Sequence, residues 1–392
     1  MAKAQKKTKK VSIFRKLKSN ASGVDLPFLI YVFCFLAIGL VMICSASYVS
    51  AYYKEGDSFF YVKKQLIWTG LGLIAMYVGS RIDYRLWRKF IWVILLVALA
   101  MVILVLIPGI GIERDDARRW LGFGGLTFQP SEIAKLAIIM YLANYITINY
   151  HKMKSFKEGF APAFGVLILF TFLVAIETHI SGAILIISIG IVMLFVGGTS
   201  LKLMGGLAAL GAGGITSLIL FTDYAKRRIM SWWDPFAYAQ EGGYQIIQAL
   251  YAIGSGGLLG LGLGQSRQKH MYIPEPQNDY IFAIICEELG FVGAVALLLL
   301  YALLIWRGFK IAFSMKDRFG MLLVVGITSR VAIQALLNIA VVTKILPSTG
   351  IGLPFISYGG TALLVLMVEM GLVLSVSRHS ELDREIAEES GK

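Results

Sequence analysis

Charge is what this sequence has least of. Only 16% of its 392 residues are Asp, Glu, Lys or Arg, whereas a soluble protein carries about a quarter. A surface wholly exposed to water is excluded. Cysteine is nearly absent: Cys34, Cys44 and Cys286 lie in or at the edge of apolar segments, and no CxxC occurs. They read as core residues, with no disulfide framework behind them. The four histidines, His151, His179, His270 and His379, are scattered without HExxH spacing, so no protein-built metal site is visible. No internal repeat stands out, which weighs against an inverted-repeat transporter.

What is there is apolar: 57% of the chain is hydrophobic. Apolar runs of about 20 residues recur, each long enough to cross ~30 Å of hydrocarbon. They do not alternate in polarity, as the strands of a β-barrel would. The sequence predicts an all-α, polytopic membrane protein with ten transmembrane helices. They fall near 26–48, 65–81, 90–107, 131–149, 161–176, 182–198, 203–222, 280–306, 320–343 and 359–377. A basic tail, 1–25, precedes a single transmembrane domain, 26–378, and a second tail, 379–392, follows it. The run from Leu26 to Cys44 is too long for the core of a signal peptide and reads as a retained span.

The net charge is +13, and its placement is that of membrane topology rather than of nucleic-acid binding. Of the 37 Lys and Arg, 23 fall in segments on the N-terminal side of the membrane and 12 on the other; Lys135 and Arg330 lie within spans. The excess predicts cytoplasmic N- and C-termini. It makes 223–279, between the seventh and eighth spans, a large extracellular loop. A connection of that length without low complexity is usually functional.

The chain is organised around Tyr244 to Gly290. An apolar helical segment runs into glycines 254, 256, 257, 260, 262 and 264, then a polar loop braced by Pro274 and Pro276, then Asp279 and a long apolar helix. No GK[ST] follows the glycines and no strand precedes them, so a nucleotide loop is excluded; close backbone packing or a flap remains. Asp279 suits two compatible roles, an N-cap of the eighth span and a general base. Glu287 and Glu288 lie two turns deeper and read chiefly as structural ion pairs, with Arg330 and Lys135 as candidate partners. Glu132 and Lys135 share a helix face after Gln129-Pro130-Ser131, either as a local salt bridge or as the lining of a polar cavity. Two basic clusters break the charge trend: Arg114, Arg118 and Arg119 before Trp120, and Lys226, Arg227 and Arg228. Each is a solvated loop or a site for an anionic head group.

Together these residues resemble the SEDS family (shape, elongation, division and sporulation; FtsW, RodA and SpoVE), in detail its FtsW/SpoVE branch. The markers are Arg119-Trp120, Gln129-Pro130-Ser131-Glu132 with Lys135, and Gln245 to Gly254. They continue with Gly262-Leu263-Gly264-Gln265-Ser266, Pro274-Glu275-Pro276 with Asp279, Glu287-Glu288-Leu289-Gly290, and Leu353 to Gly360 with Ser357. The resemblance covers nearly everything after the basic tail. It implies a peptidoglycan glycosyltransferase of the bacterial cytoplasmic membrane. Such an enzyme polymerises lipid II at the outer face during division, elongation or sporulation and releases undecaprenyl pyrophosphate. It implies Asp279 as the catalytic residue, and Arg119, Trp120, Glu132, Lys135, Gln265, Ser266, Glu288 and Ser357 as substrate-binding or supporting residues. It also implies a divalent cation (Mg²⁺ or Mn²⁺), a class B penicillin-binding protein as partner beside other division or elongation proteins, and no nucleic acid. The alternatives are a lipid II flippase, using the polar groups inside the spans, and a non-catalytic scaffold for the penicillin-binding protein. The chain departs from the family at Asn278 and Tyr280, where threonine and phenylalanine often stand. It departs again at Glu177-Thr178-His179-Ile180-Ser181-Gly182, where a PDLGT-like run usually carries an aspartate.

Overall fold

The computed structural model describes residues 23–389 apart from 115–116, 124–125, 178, 208, 210, 212–222 and 241; most of the predicted seventh span lies outside the described residues. Helix α1 (Leu26–Glu55) starts where Asp25 accepts from the Phe28 amide, with a proline in the first turn, and stops at Gly56 in the left-handed region. Then come α2 (Phe60–Arg81) and a short turn, Tyr84–Trp87, that continues through Arg88–Phe90 into α3 (Ile91–Leu106). The remaining helices are α4 (Pro130–Asn149), α5 (Ala161–Ile176), α6 (Ile180–Val196), α7 (Asp223–Trp233), α8 (Gly243–Gly256), α9 (Ile281–Ser314), α10 (Arg318–Val342) and α11 (Gly360–Glu389).

Among the described residues, seven helical stretches are long and apolar enough to cross a membrane: α1, Tyr84–Leu106, Pro130–Lys152, Phe156–Ile176, α9, α10 and Gly360–His379. The other two predicted spans with described helices fall short of that measure. α2 opens on the polar run Lys63, Lys64 and Gln65, and α6 has only 17 residues. The fold is nevertheless that of a multi-pass helical membrane protein. α10 lies at its centre, against α4, α6, α9 and α11, and α2 packs along α11.

Polar contacts mark the two ends of the bundle. At one, Arg307 of α9 pairs with Asp25 at 2.8 Å, and the Asp25 amide donates to Ser377 of α11. There too the Tyr84 hydroxyl donates to Asp317, ahead of α10. At the other, Lys54 pairs with Glu275 at 3.1 Å, and Tyr61 meets Tyr358 edge-on. These are called the Asp25 end and the Asp279 end below. The predicted loop before α4 contains a small antiparallel sheet at the Asp279 end, β1 (Gly111–Arg114), β2 (Ala117–Phe123) and β3 (Leu126–Phe128), with Ile112 opposite Trp120.

α9 is not the continuous helix that the sequence suggests. Gly290 has φ 67° and ψ −167°, which breaks it. The glycine-rich segment fills the break. The amides of Leu261 and Gly262 donate to the carbonyls of Glu287 and Glu288, and the amides of Phe291 and Val292 donate to those of Gly257 and Leu258, all at 2.9–3.1 Å. The close-packing reading of the glycines is therefore the one the fold adopts. A Cβ on Gly260 would strike the Glu288 carbonyl, and one on Gly290 would strike the Gly260 amide.

Gly260→Ala and Gly290→Ala should each destabilise by about 1–3 kcal/mol from backbone strain alone, with more from the clash. Gly254, inside α8 with nothing near its Cβ position, should tolerate alanine or gain up to ~1 kcal/mol. Thermal melting of the three variants in detergent checks this.

Candidate functional site

Asp279 precedes α9, but Tyr280 occupies the cap position and no side chain caps the helix. The N-cap reading is therefore corrected: Asp279 lies one residue too early for its carboxylate to reach the helix amides. Its backbone is fixed instead. Asn338 of α10 donates through Nδ2 to the carbonyls of Asp279 (2.7 Å) and Ile351 (2.6 Å), joining the two segments. A Cβ on Gly350, where φ is +68°, would lie 3.7 Å from Asp279 Oδ2, so the carboxylate faces that turn. The turn is held by Arg228 of α7, which donates to the Ser348 carbonyl at 2.8 Å, and by the Trp232 indole, which donates to the Lys344 carbonyl at 3.0 Å. Asn278 donates to Glu275.

The carboxylate is only partly exposed. Burial pushes the Asp279 carboxyl up to about 6; Glu275 adds to the rise, and the Arg228 guanidinium opposes it. Asp279 makes no ion pair among the described residues. It is a carboxylate kept near neutrality in its proton affinity and not committed to a cation.

The same turn reaches α6, where the Ser181 hydroxyl donates to the Thr349 carbonyl. Beside it, His179 Nδ1 lies 3.2 Å from both Gln129 Nε2 and Ser131 Oγ. Burial pushes the Glu177 carboxyl up to about 8, against the pull of Arg119; Thr178 lies outside the described residues. The pairing of β1 with β2 is irregular here: Ile112 lies opposite Trp120 and Glu113 opposite Arg118, so Arg119 is the extra residue of a bulge. Arg118 pairs with Glu113 in solvent at 2.8 Å, while Arg119 acts on Glu177 and His179. Trp120 is half-buried on the same strand. Of the first basic cluster, Arg118 thus stands in a solvated ion pair and Arg119 is a cation turned toward the bundle; the Arg114 side chain lies outside the described residues.

Deeper in the bundle, Glu132 is the hub of a buried network. It pairs with Lys135 and with Arg330, each at 2.6 Å, and Arg330 also pairs with Glu369 of α11. The group holds two acids and two bases. Both proposed roles of Lys135 and Arg330 as partners of Glu287 and Glu288 are corrected. Glu288 pairs with Lys269 at 3.0 Å and accepts from Ser45 and the Ser266 amide. Glu287 accepts from the Ser266 hydroxyl and the amides of Arg267 and Gln268. Proximity decides this: the loop of the same hairpin folds back onto α9, and its amides reach the carboxylates first. Gln265 stands exposed beside this clamp, and Ser357 spends its hydroxyl on the Leu353 amide within its own turn. Asn338 and Lys269 escaped the sequence reading, although two amides, Gln334 and Asn338, in the otherwise apolar run Val331 to Val342 were a signal.

Among the described residues no group of three or more His, Cys, Asp or Glu could hold a metal ion.

A membrane bundle with buried charges and a loop carboxylate held by backbone at one end defines a class of multi-pass enzyme or transporter. The family model described as cell cycle protein, for FtsW, RodA and SpoVE, matches residues 26–382. The chain belongs to this family. It is 43% identical to stage V sporulation protein E of Bacillus subtilis, over 93% of this chain and 100% of that one. It is 40% identical to a probable peptidoglycan glycosyltransferase FtsW of Geobacter metallireducens, over 90% and 94%. Its fold matches a chain of a peptidoglycan synthase complex with a TM-score of 0.74 at 26% identity, covering 91% of this chain and 98% of that chain. It also matches the rod shape determining protein RodA of Thermus thermophilus, with a TM-score of 0.64 at 26% identity, covering 91% and 97%.

Lys135→Ala leaves Glu132 with one cation in a buried site, a loss on the scale of ~3–5 kcal/mol. Lys152→Ala removes an exposed partner of Glu158, worth under about 1 kcal/mol. Melting temperature and yield of the two variants should separate accordingly.

Proposed function

We propose that this chain is a peptidoglycan glycosyltransferase that polymerises lipid II, with Asp279 as its general base. One observation carries the role of Asp279: it is a carboxylate at the bundle end, outside every ion pair among the described residues, with its proton affinity raised. Family membership supplies the substrate class. In the proposed orientation the Asp279 end faces outward and both termini are cytoplasmic, as the Lys and Arg distribution favours.

Asp279 accepts the proton of the acceptor sugar's 4-hydroxyl as that oxygen bonds to the anomeric carbon of the donor. The bond from that carbon to the pyrophosphate breaks, and undecaprenyl pyrophosphate leaves with the electron pair. Inversion requires base and leaving group on opposite sides of the anomeric carbon. Arg228, whose charge is felt at Asp279, and its neighbour Arg227 offset charge on the pyrophosphate. Membrane anchoring holds both substrates in one plane and lowers the entropic cost of their meeting. A class B penicillin-binding protein supplies crosslinking; the solved peptidoglycan synthase complex that this fold resembles supports that pairing.

Asp279→Asn keeps the shape and removes the charge. It should fold and melt as the parent does, while polymer formation from purified lipid II falls by roughly 10²-fold or more, the scale of acid–base catalysis. Asp279→Glu should retain partial activity at best. Near-parental polymerisation by a well-folded Asn variant would remove Asp279 from the chemistry. The buried network around Glu132 keeps a flippase as the second reading: scrambling of lipid II across liposomes without polymer would favour it.

A further inference from the structure

The Asp25 end carries a feature that the glycosyl transfer does not use. Between the turn Tyr84–Phe90 and the start of α10 lies a cavity of about 320 Å³ lined by Arg85, Arg88, Lys89, Asp317 and Phe319. Three cations face one carboxylate, and that carboxylate is already engaged: Asp317 accepts from the Tyr84 hydroxyl at 3.0 Å and from the Gly320 amide at 3.1 Å. Arg88 is held in place. Its Nε donates to Asn144 Oδ1 at 2.7 Å, and its guanidinium lies 5.7 Å from the centroid of the Phe319 ring. Among the described residues its terminal N–H groups have no acceptor, and Lys89 has no ion pair. A fixed guanidinium fork beside an ammonium is a receptor for a phosphate oxygen pair.

The neighbours of the cavity say where that phosphate comes from. Leu86, Phe90 and Trp92 are 48%, 56% and 60% exposed on the same stretch of chain. Large apolar side chains in that number belong in lipid, and tryptophan favours the boundary between acyl chains and head groups. The cavity therefore opens at head-group depth, on the end of the bundle that the orientation proposed above makes cytoplasmic.

We propose that this cavity binds the phosphate of an anionic phospholipid, with Arg88 and Lys89 as its principal ligands and the acyl chains lying along Phe90 and Trp92. The site is independent of the glycosyl transfer at the opposite end, so its test does not depend on that activity.

The experiment is native mass spectrometry of the full chain, released from detergent with phosphatidylglycerol or phosphatidylcholine added. The parent should retain one phosphatidylglycerol in preference to phosphatidylcholine. Arg88→Gln with Lys89→Gln should weaken that adduct by roughly tenfold or more. Lys152→Gln with Lys154→Gln, charges removed from the same end, should leave it nearly intact. Lys89→Gln alone, at an exposed side chain with no partner to lose, should give a smaller loss in the same direction and covers the case in which the double variant melts early. Equal retention by the parent and both Lys89 variants would overturn the proposal. So would an equal loss in the control pair, which would mean diffuse attraction, or displacement of the lipid by excess inorganic phosphate, which would mean a soluble ligand.

Discussion

Four backbone hydrogen bonds between the glycine-rich segment and the break in α9 hold the remainder of the Asp279 end in place. A helix interrupted inside a membrane leaves amides and carbonyls without partners, at several kcal/mol each in hydrocarbon. Here the orphaned groups are the carbonyls of Glu287 and Glu288 and the amides of Phe291 and Val292, and the backbone of 257–262 satisfies all four. The approach is possible only because Gly260 and Gly290 lack side chains. The same contact brings Ser266, Arg267, Gln268 and Lys269 over the carboxylates of Glu287 and Glu288, which clamp them. From that clamp the chain runs through Pro274 and Pro276 to Asp279, whose own backbone Asn338 fixes to α10.

Much of the buried charge is paired, and Asp279 stands outside those pairs. Glu132 and Glu369 are answered by Lys135 and Arg330, and Glu288 by Lys269. Each such group must be complete, because removing one partner leaves an uncompensated charge at a cost of ~3–5 kcal/mol. Asp279 has Arg228 nearby to moderate its proton affinity and Glu275 to raise it. A carboxylate with that balance can take up a proton and release it near neutral pH, which a salt-bridged one cannot.

Much of this was legible in the sequence. Helix starts followed from local chemistry: Pro130 after Gln129 opens α4, as the pattern predicts. Glu132 and Lys135 pair as their three-residue spacing requires. The glycines after α8 pack rather than flap. What the sequence could not show was contact between distant segments. Nothing in the run Glu287-Glu288 says that its partners lie about 20 residues earlier, because a helical reading of Gly290 hides the break that admits the loop. Asp279 read as a helix cap because Asp before an apolar run usually is one; only backbone geometry at Tyr280 moves the cap by a residue. The small sheet around Trp120 was invisible for a related reason. Its strands are short, and pairing across turns rather than propensity makes them. Arg119 and Arg118 looked alike in sequence, but Arg118 is paired with Glu113 in the ladder and Arg119 is the extra residue of a bulge, which re-aims its side chain.

The most direct test of Asp279 as the base is the pH dependence of lipid II polymerisation. Since only the ionised carboxylate accepts a proton, activity should be high above the Asp279 midpoint and fall as pH drops through it. The limb should be centred near 6 rather than near the ~3.9 of an ordinary aspartate. Arg228→Gln removes a charge that favours ionisation, so it should move the limb upward, and Glu275→Gln should move it downward. An acid limb near 4, or one that neither substitution moves, would contradict the assignment.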